Sequence, residues 1–224
     1  QSPLISVIMP LYNAERFVGE SICNILGQTV GDFELIVIDD ASTDSSYDIA
    51  SRYAAQDARI VLMRNDANHG AAYTRNRGLE TARGSFITFM DADDRCSPER
   101  FARQTAFFGQ HPQIDLFGPD DAREQKIQDP ITHEGIRIQM LFGCPFAMSG
   151  VMMRRGAFLR SGVRFRATMA EDYLFWAELS GHMRMANIPE HLSFYRRWEN
   201  QLSTSQLDRQ TLSAQAIQRD LLRT

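Results

Sequence analysis

Ser85-Phe86-Ile87-Thr88-Phe89-Met90-Asp91-Ala92-Asp93-Asp94 is an apolar, β-rich run that stops in three carboxylates within four residues. A buried strand that delivers acids at its carboxyl end is a common way to build a site in an open α/β sheet. Carboxylates this close repel one another unless a cation lies between them. A hard divalent ion with oxygen ligands, Mg²⁺ or Mn²⁺, meets that need. A solvated acidic turn is the plainer reading of the same ten residues. What decides between them is whether other strands end in the same way.

They do. Leu4 to Met9 is a short, nearly continuous apolar run, the mark of a buried parallel strand. Pro10 reads as its end, because proline cannot donate to a ladder. Leu11-Tyr12-Asn13 follows as a turn, with Asn13 a candidate cap for the helical spacing of Phe17, Val18, Ile22, Ile25 and Leu26. Phe33 to Ile38 is a second strand and ends in Asp39 and Asp40. Ala41 to Asp44 reads as a loop into a helix capped by Ser42. Ile60 to Met63 is a third strand, Asn65 to Gly70 a polar loop, and Ala71 to Ala82 a helix stopped by Gly84. The alternation β-α-β-α-β-α-β predicts an α/β fold, a mostly parallel central sheet flanked by helices. Right-handed crossovers put every strand's carboxyl end on one side. Pro10 to Tyr12, Asp39-Asp40 and Asp91 to Asp94 are therefore expected to face one crevice.

Beyond residue 95 the pattern is less regular. Ser97-Pro98-Glu99 is a helix start, with Phe101, Phe107 and Phe108 as core candidates. Ile114 to Phe117 reads as a strand, Gly118 to Pro130 as an exposed loop, and Glu134 to Phe142 as a weak helix. Cys144 to Met153 reads as a strand lining a cleft. Glu171 to Leu179 is an amphipathic helix opening on two acids, which by themselves are ordinary dipole partners. Met183 to Ile188 is expected at a sheet edge. Tyr195-Arg196-Arg197-Trp198 is basic and aromatic. Gln206 to Thr224 is a polar helix whose Leu207, Leu212, Ile217 and Leu221 are expected to pack on the domain or on a partner.

The 224 residues suit one large domain with a substantial core, and the net charge of −4 offers no basic field for nucleic acid. Lys126 is the only lysine, so positive charge is carried by arginine, which suits bidentate contact with phosphate or carboxylate. Cys23, Cys96 and Cys144 are widely spaced and show no zinc pattern, as expected of reduced thiols in the cytoplasm. No apolar run nears the ~18 residues of a membrane span. The opening residues do not read as a signal peptide, although a preceding segment stays open. Asp39-Asp40 at a strand end also evokes a receiver-like phosphoacceptor, but such a pocket needs a lysine, and Lys126 lies in a polar loop.

Five stretches in order resemble the family 2 glycosyltransferases of the GT-A, Rossmann-like fold. They are Val7 to Asn13, Ile38 to Asp44, Asn68-His69-Gly70 with Arg75-Asn76-Arg77-Gly78, the Asp-x-Asp of Met90 to Asp94, and Met169 to Tyr173. The resemblance spans roughly residues 4 to 200. It implies an inverting transfer from a nucleotide-diphosphate sugar, UDP by preference, to a hydroxyl of a glycan, glycolipid or lipid-linked saccharide. It also implies a donor half over residues 1–95, a smaller acceptor and base half over 96–205, and a C-terminal helix over 206–224. Pro10 would shape the turn and Tyr12 lie near the nucleobase. Asp39 would accept from a base N–H, and Asp40 would contact the ribose or cap its turn. Arg75 would approach the nucleotide, Asp91 would contact the ribose, and Asp93 would bind Mn²⁺ or Mg²⁺. Asp172 is the implied base, with Glu171 the runner-up. The family often has a histidine after a Tyr-Arg pair; here Tyr195-Arg196-Arg197 runs into Trp198, so Arg196 or Arg197 would serve the diphosphate instead. That departure motivates an alternative, a non-catalytic nucleotide-sugar-binding module. Peripheral contact with the inner membrane face and the oligomeric state are left open.

Overall fold

A computed structural model describes residues 2–119, 132–196 and 207–223. Lys126, Arg197, Trp198 and most of the 118–130 loop lie outside the described residues.

Seven strands form one sheet: β1 (Ile5–Leu11), β2 (Phe33–Asp39), β3 (Ile60–Arg64), β4 (Phe86–Phe89), β6 (Leu116–Pro119), β7 (Met152–Arg154) and β8 (Met185–Ile188), in the order β3-β2-β1-β4-β7-β6-β8. β1 to β4 run parallel. β7 is antiparallel to both β4 and β6, and β6 is parallel to β8. Six strands therefore share one direction and β7 alone opposes it. β5 (Arg95–Cys96) and β9 (Ser193–Phe194) make a separate antiparallel pair. The helices are α1 (Val18–Leu26), α2 (Ser46–Ala54), α3 (Ala71–Thr81), α4 (Arg100–Gln110), α5 (His133–Gln139), α6 (Arg155–Ser161), α7 (Glu171–Leu179) and α8 (Leu207–Leu221).

Alternation along the strands builds two cores. Ile8, Ile36, Ile38, Ile87 and Phe89 face α3, α5, α6, α7 and α8, where Trp176 and Phe158 are fully buried. Val7, Met9, Leu35 and Val37 face the other way, onto Ile22 and Ile25 of α1, Ala50 of α2 and Phe101 of α4. Successive strand side chains point to opposite faces, so a continuous apolar run covers both. α3 approaches the sheet closely at Gly78, where a Cβ would lie 2.4 Å from Ile8 Cγ2.

Several local expectations are corrected. Pro10 lies inside β1, paired with Ile38, and the strand continues to Leu11. The β1–β4 ladder ends at Ile8–Phe89, and Met90 N–H closes it on the Ile8 carbonyl. Pro10 shares Ile8's side of the strand, so its missing N–H falls on the β4 side, where the ladder stops, and the β2 side stays paired. Asn13 and Ser42 do not cap helices. Asn13, at φ 47°, accepts from the Thr43 N–H at 2.9 Å and gives its own N–H to Ser42 Oγ at 3.1 Å, which laces the loops after β1 and β2 together. The stretch 144–153 is strand only at its end; Met148–Gly150 is a 3-10 turn. In α8, Ile217 packs into the core, but Leu212 is 66% exposed. Among the described residues no disulfide links Cys23, Cys96 and Cys144. Among the described residues no helix is long and apolar enough to cross a membrane.

Candidate functional site

Each acid at a strand end has a distinct setting. Asp39 closes β2 with no exposed surface. Its carboxylate accepts from the Ser42 N–H at 3.2 Å and pairs with Arg64 Nε at 3.0 Å, across the Asp39–Arg64 register of β2 and β3. Ala41, at φ 58°, makes that tight turn. Asp40 is buried and serves the loop before α3. It accepts from Asn65 Nδ2 at 2.5 Å, His69 N–H at 3.0 Å and Gly70 N–H at 2.7 Å. Gly70, at φ 85°, opens α3 from a backbone shape that a side chain would strain. Tyr12, beyond the end of β1, is 47% exposed, an aromatic face open to solvent beside these turns.

The Asp91–Asp94 turn is tied from below and from the side. Ser149 Oγ accepts the Asp91 N–H at 2.9 Å and donates to Asp94 Oδ2 at 2.5 Å. Asp94 Oδ1 accepts the Arg196 N–H at 3.0 Å. Asp94, which the sequence left unassigned, is thus the brace of the turn. Burial, and then the charge of Asp91, push its carboxyl up to about 7, against the pull of these two bonds. Arg196 Nε donates to the Asp93 carbonyl at 2.8 Å, and its Nη2 pairs with Glu20 of α1 at 2.5 Å. Arg196 therefore sits against the acidic turn while carrying an ion pair of its own. Underneath, fully buried Arg100 donates to Thr88 Oγ1 at 2.5 Å and to the Phe89 carbonyl at 3.1 Å, fixing the end of β4. Burial pulls its guanidinium below the usual range.

The far wall is the N-terminus of α7. Arg75 of α3 spans from one wall to the other: Nη2 meets Asp91 Oδ1 at 3.0 Å and Nη1 meets Glu171 Oε1 at 2.7 Å. Asp172, half-buried beside Glu171, accepts the Tyr173 N–H at 2.7 Å. Burial, and then the Glu171 charge, push its carboxyl up to about 6; the Tyr173 bond and Arg75 pull it down. A carboxyl poised there can take a proton near neutral pH.

The structure thus joins Asp91, Arg75 and Glu171 directly, with Asp93 and Asp94 on the same turn as Asp91, Arg196 against that turn and Asp172 next to Glu171. Among the described residues no three His, Cys, Asp or Glu side chains converge as a ready-made metal cage. A sparse set built on the Asp93 carboxylate still fits a hard ion that keeps several waters and shares substrate phosphates. Sequence reasoning missed Ser149, Arg64, Arg100 and the Glu20 partner of Arg196. The only signal for Ser149 was the small-residue run Ala147-Met148-Ser149-Gly150.

Comparison with known proteins agrees with this architecture. The model of the glycosyl transferase family 2 matches residues 6–176. An uncharacterized glycosyltransferase of Haemophilus influenzae is 32% identical over 235 residues, covering 97% of this chain and 73% of its own. Residues 1–349 of S. aureus TarS, in complex with UDP-GlcNAc, superpose with a TM-score of 0.78 at 23% identity, over 90% of this chain and 60% of that one. A mannosyltransferase of Pyrobaculum calidifontis, in complex with GDP-Man and Mn²⁺, gives a TM-score of 0.76 at 19% identity, over 96% and 64%. The two solved structures share the GT-A fold with this chain, which spans less than two thirds of either.

Proposed function

This chain is a member of glycosyltransferase family 2, and on that premise we propose that it moves a sugar, with inversion, from a nucleotide diphosphate to a hydroxyl of a glycan, glycolipid or polysaccharide acceptor. The observation that carries the reading is the meeting of the Asp91–Asp94 turn with the Glu171-Asp172 helix start across Arg75. The acidic turn and the helix start that carries Asp172 are then tied to one arginine, which supports a donor side and a base side of a single site.

Asp172 is the base. As the acceptor oxygen bonds to the anomeric carbon, the bond from that carbon to the diphosphate oxygen breaks and the hydroxyl proton passes to Asp172. General-base help of this kind contributes roughly 10²–10⁴-fold. Asp91 contacts the ribose, Arg196 faces the diphosphate, and Tyr12 covers the base. Asp39 accepts a base N–H, and UDP, whose uracil N3–H offers one, is the donor proposed. Asp93 would hold Mn²⁺ or Mg²⁺. That ion, when bound, neutralises charge on the leaving diphosphate. Asp40 keeps to its cap. The donor half runs to residue 95 and the acceptor half follows. The protein works in the cytoplasm, against the inner membrane face when its acceptor is lipid-linked.

The test is a nucleotide-sugar panel with and without Mn²⁺. UDP-sugars with Mn²⁺ are expected to raise the melting temperature and to be slowly hydrolysed. Asp172→Asn is expected to abolish hydrolysis while UDP still binds. Full hydrolysis in that variant removes Asp172 from the base role. Tight binding without turnover over a broad acceptor panel points instead to a binding module.

A further inference from the structure

We propose that Arg75 is a positioning residue for the transfer step, a fork that sets the base-bearing end of α7 against the donor turn. The inference rests on the transfer reading above and gives Arg75 a different task from holding the nucleotide.

Arg75 is a helix residue with only 8% of its side chain exposed, and both of its terminal nitrogens are taken by carboxylates from opposite walls. Asp91 lies 16 positions away in sequence and Glu171 lies 96 away. The next residue of α3 repeats the link. Asn76 Nδ2 donates to the Phe165 carbonyl at 2.9 Å, and Asn76 Oδ1 accepts the Phe165 N–H at 3.0 Å. The Phe165 ring carries the Arg75 guanidinium at 5.6 Å and stacks on Phe175 of α7 at 3.8 Å. One turn of α3 thus grips the segment that leads into α7 through its backbone, its ring and its first acid.

Neighbouring positions of a helix do not share a face. With Glu171 pinned toward Arg75, the bearing of Asp172 from the helix is fixed too. The same fork sets the charge around the base. Asp172 is faced by Glu171 and Asp91, which raise its proton affinity, and by Arg75 and the Tyr173 N–H, which lower it. A lysine keeps the charge of Arg75 but ends in one compact ammonium, and cannot form two aligned bonds to separated carboxylates as a planar fork does.

Two variants test this in the full chain. In Arg75→Lys, kcat for transfer is expected to fall on the order of 10²-fold, the cost of a small misplacement, while UDP affinity by calorimetry stays near that of the parent. Glu171→Gln keeps an acceptor for Arg75 but removes the charge beside Asp172. Its acid limb in kcat against pH is expected to move down by roughly one unit. Parent kcat in Arg75→Lys, or a loss of UDP affinity that matches the loss of rate, overturns the proposal; the second result makes Arg75 a donor ligand. An unmoved acid limb in Glu171→Gln overturns it independently, even where Arg75→Lys does not fold. Failure of the transfer reading appears elsewhere, as hydrolysis that survives Asp172→Asn.

Discussion

Ser149 Oγ donates a 2.5 Å hydrogen bond to Asp94 Oδ2 and in turn accepts the Asp91 N–H at 2.9 Å. One hydroxyl on a 3-10 turn therefore holds both ends of the acidic turn. The two acids it spans differ in character. Asp94 is buried and braces, while Asp91 keeps 27% of its side chain exposed at the crevice.

Ser149→Ala removes the donor to a buried carboxylate and the acceptor of a backbone N–H together. Leaving such groups unmade costs about 1–3 kcal/mol. The unfolding free energy from urea titration is expected to fall by that amount, read as a lower midpoint at an unchanged slope. The affinity for UDP with Mn²⁺ should fall as well, because Asp91 and Asp93 ride on the loosened turn. An unchanged midpoint removes Ser149 from this role.

The Asp172 carboxyl, raised to about 6, gives the rate a pH dependence of known sign. A base acts deprotonated, so kcat should climb as pH passes through about 6 and then level. Stability runs the other way. The folded state holds this proton more tightly than an ordinary aspartate at 3.8 does, so the contribution of Asp172 is full below about 3.8 and is lost as pH rises to about 6. Thermal melts from pH 4 to 7 should show Asp172→Asn gaining on the parent across that window. Parallel melting curves for the two proteins contradict the raised proton affinity.

Two strand ends could be read in the sequence because the runs of β2 and β4 are mostly apolar and stop at acids. Burial on both sides keeps such a run mostly apolar, with Glu34 and Thr88 the buried polar exceptions. What could not be read is which distant group each acid meets. Asp40 turns to the backbone of His69 and Gly70, Asp39 to Arg64, and Asp91 to Arg75. Periodicity reports the face of an element, and these pairings are set only when elements pack. Pro10 was misread for the same reason. Its place in β1 is tolerated because its missing donor faces the β4 side, where the ladder ends, while β2 pairs along the other side, a fact of tertiary register and not of local propensity. Beyond residue 95 the strands shorten to between two and four residues, too short for a period to show.

Gly78→Ala tests how far the chemistry depends on the packing of α3. The new Cβ would lie 2.4 Å from Ile8 Cγ2 and 3.2 Å from Ile38 Cδ1, so α3 must lift off the sheet. Overpacking of this kind costs about 1–3 kcal/mol. Arg75 sits on the same helix, one turn earlier, so transfer should weaken along with melting temperature. Gly109→Ala in α4, where nothing lies within 4 Å of the added methyl, is the control and should melt no lower than the parent.

Asp39 and Arg64 offer a test of the donor base. Arg64 Nε is 3.0 Å from Asp39 Oδ2; the Arg64 side chain is 48% exposed and the Asp39 side chain is fully covered. For Asp39 to accept a uracil N3–H, the guanidinium has to leave a fully covered carboxylate, together with the Ser42 carbonyl and the Tyr47 ring that also hold it, and the base N–H has to replace it there. Arg64→Ala spares the donor that exchange and is expected to bind UDP at least as tightly as the parent. Asp39→Ala removes a charged acceptor, and bonds to charged groups contribute roughly 1.5–3 kcal/mol, so UDP should bind on the order of tenfold or more weakly. Calorimetric titration of both variants with UDP reads the difference directly. If Arg64→Ala loses as much affinity as Asp39→Ala, the guanidinium and not the carboxylate is the group that meets the base.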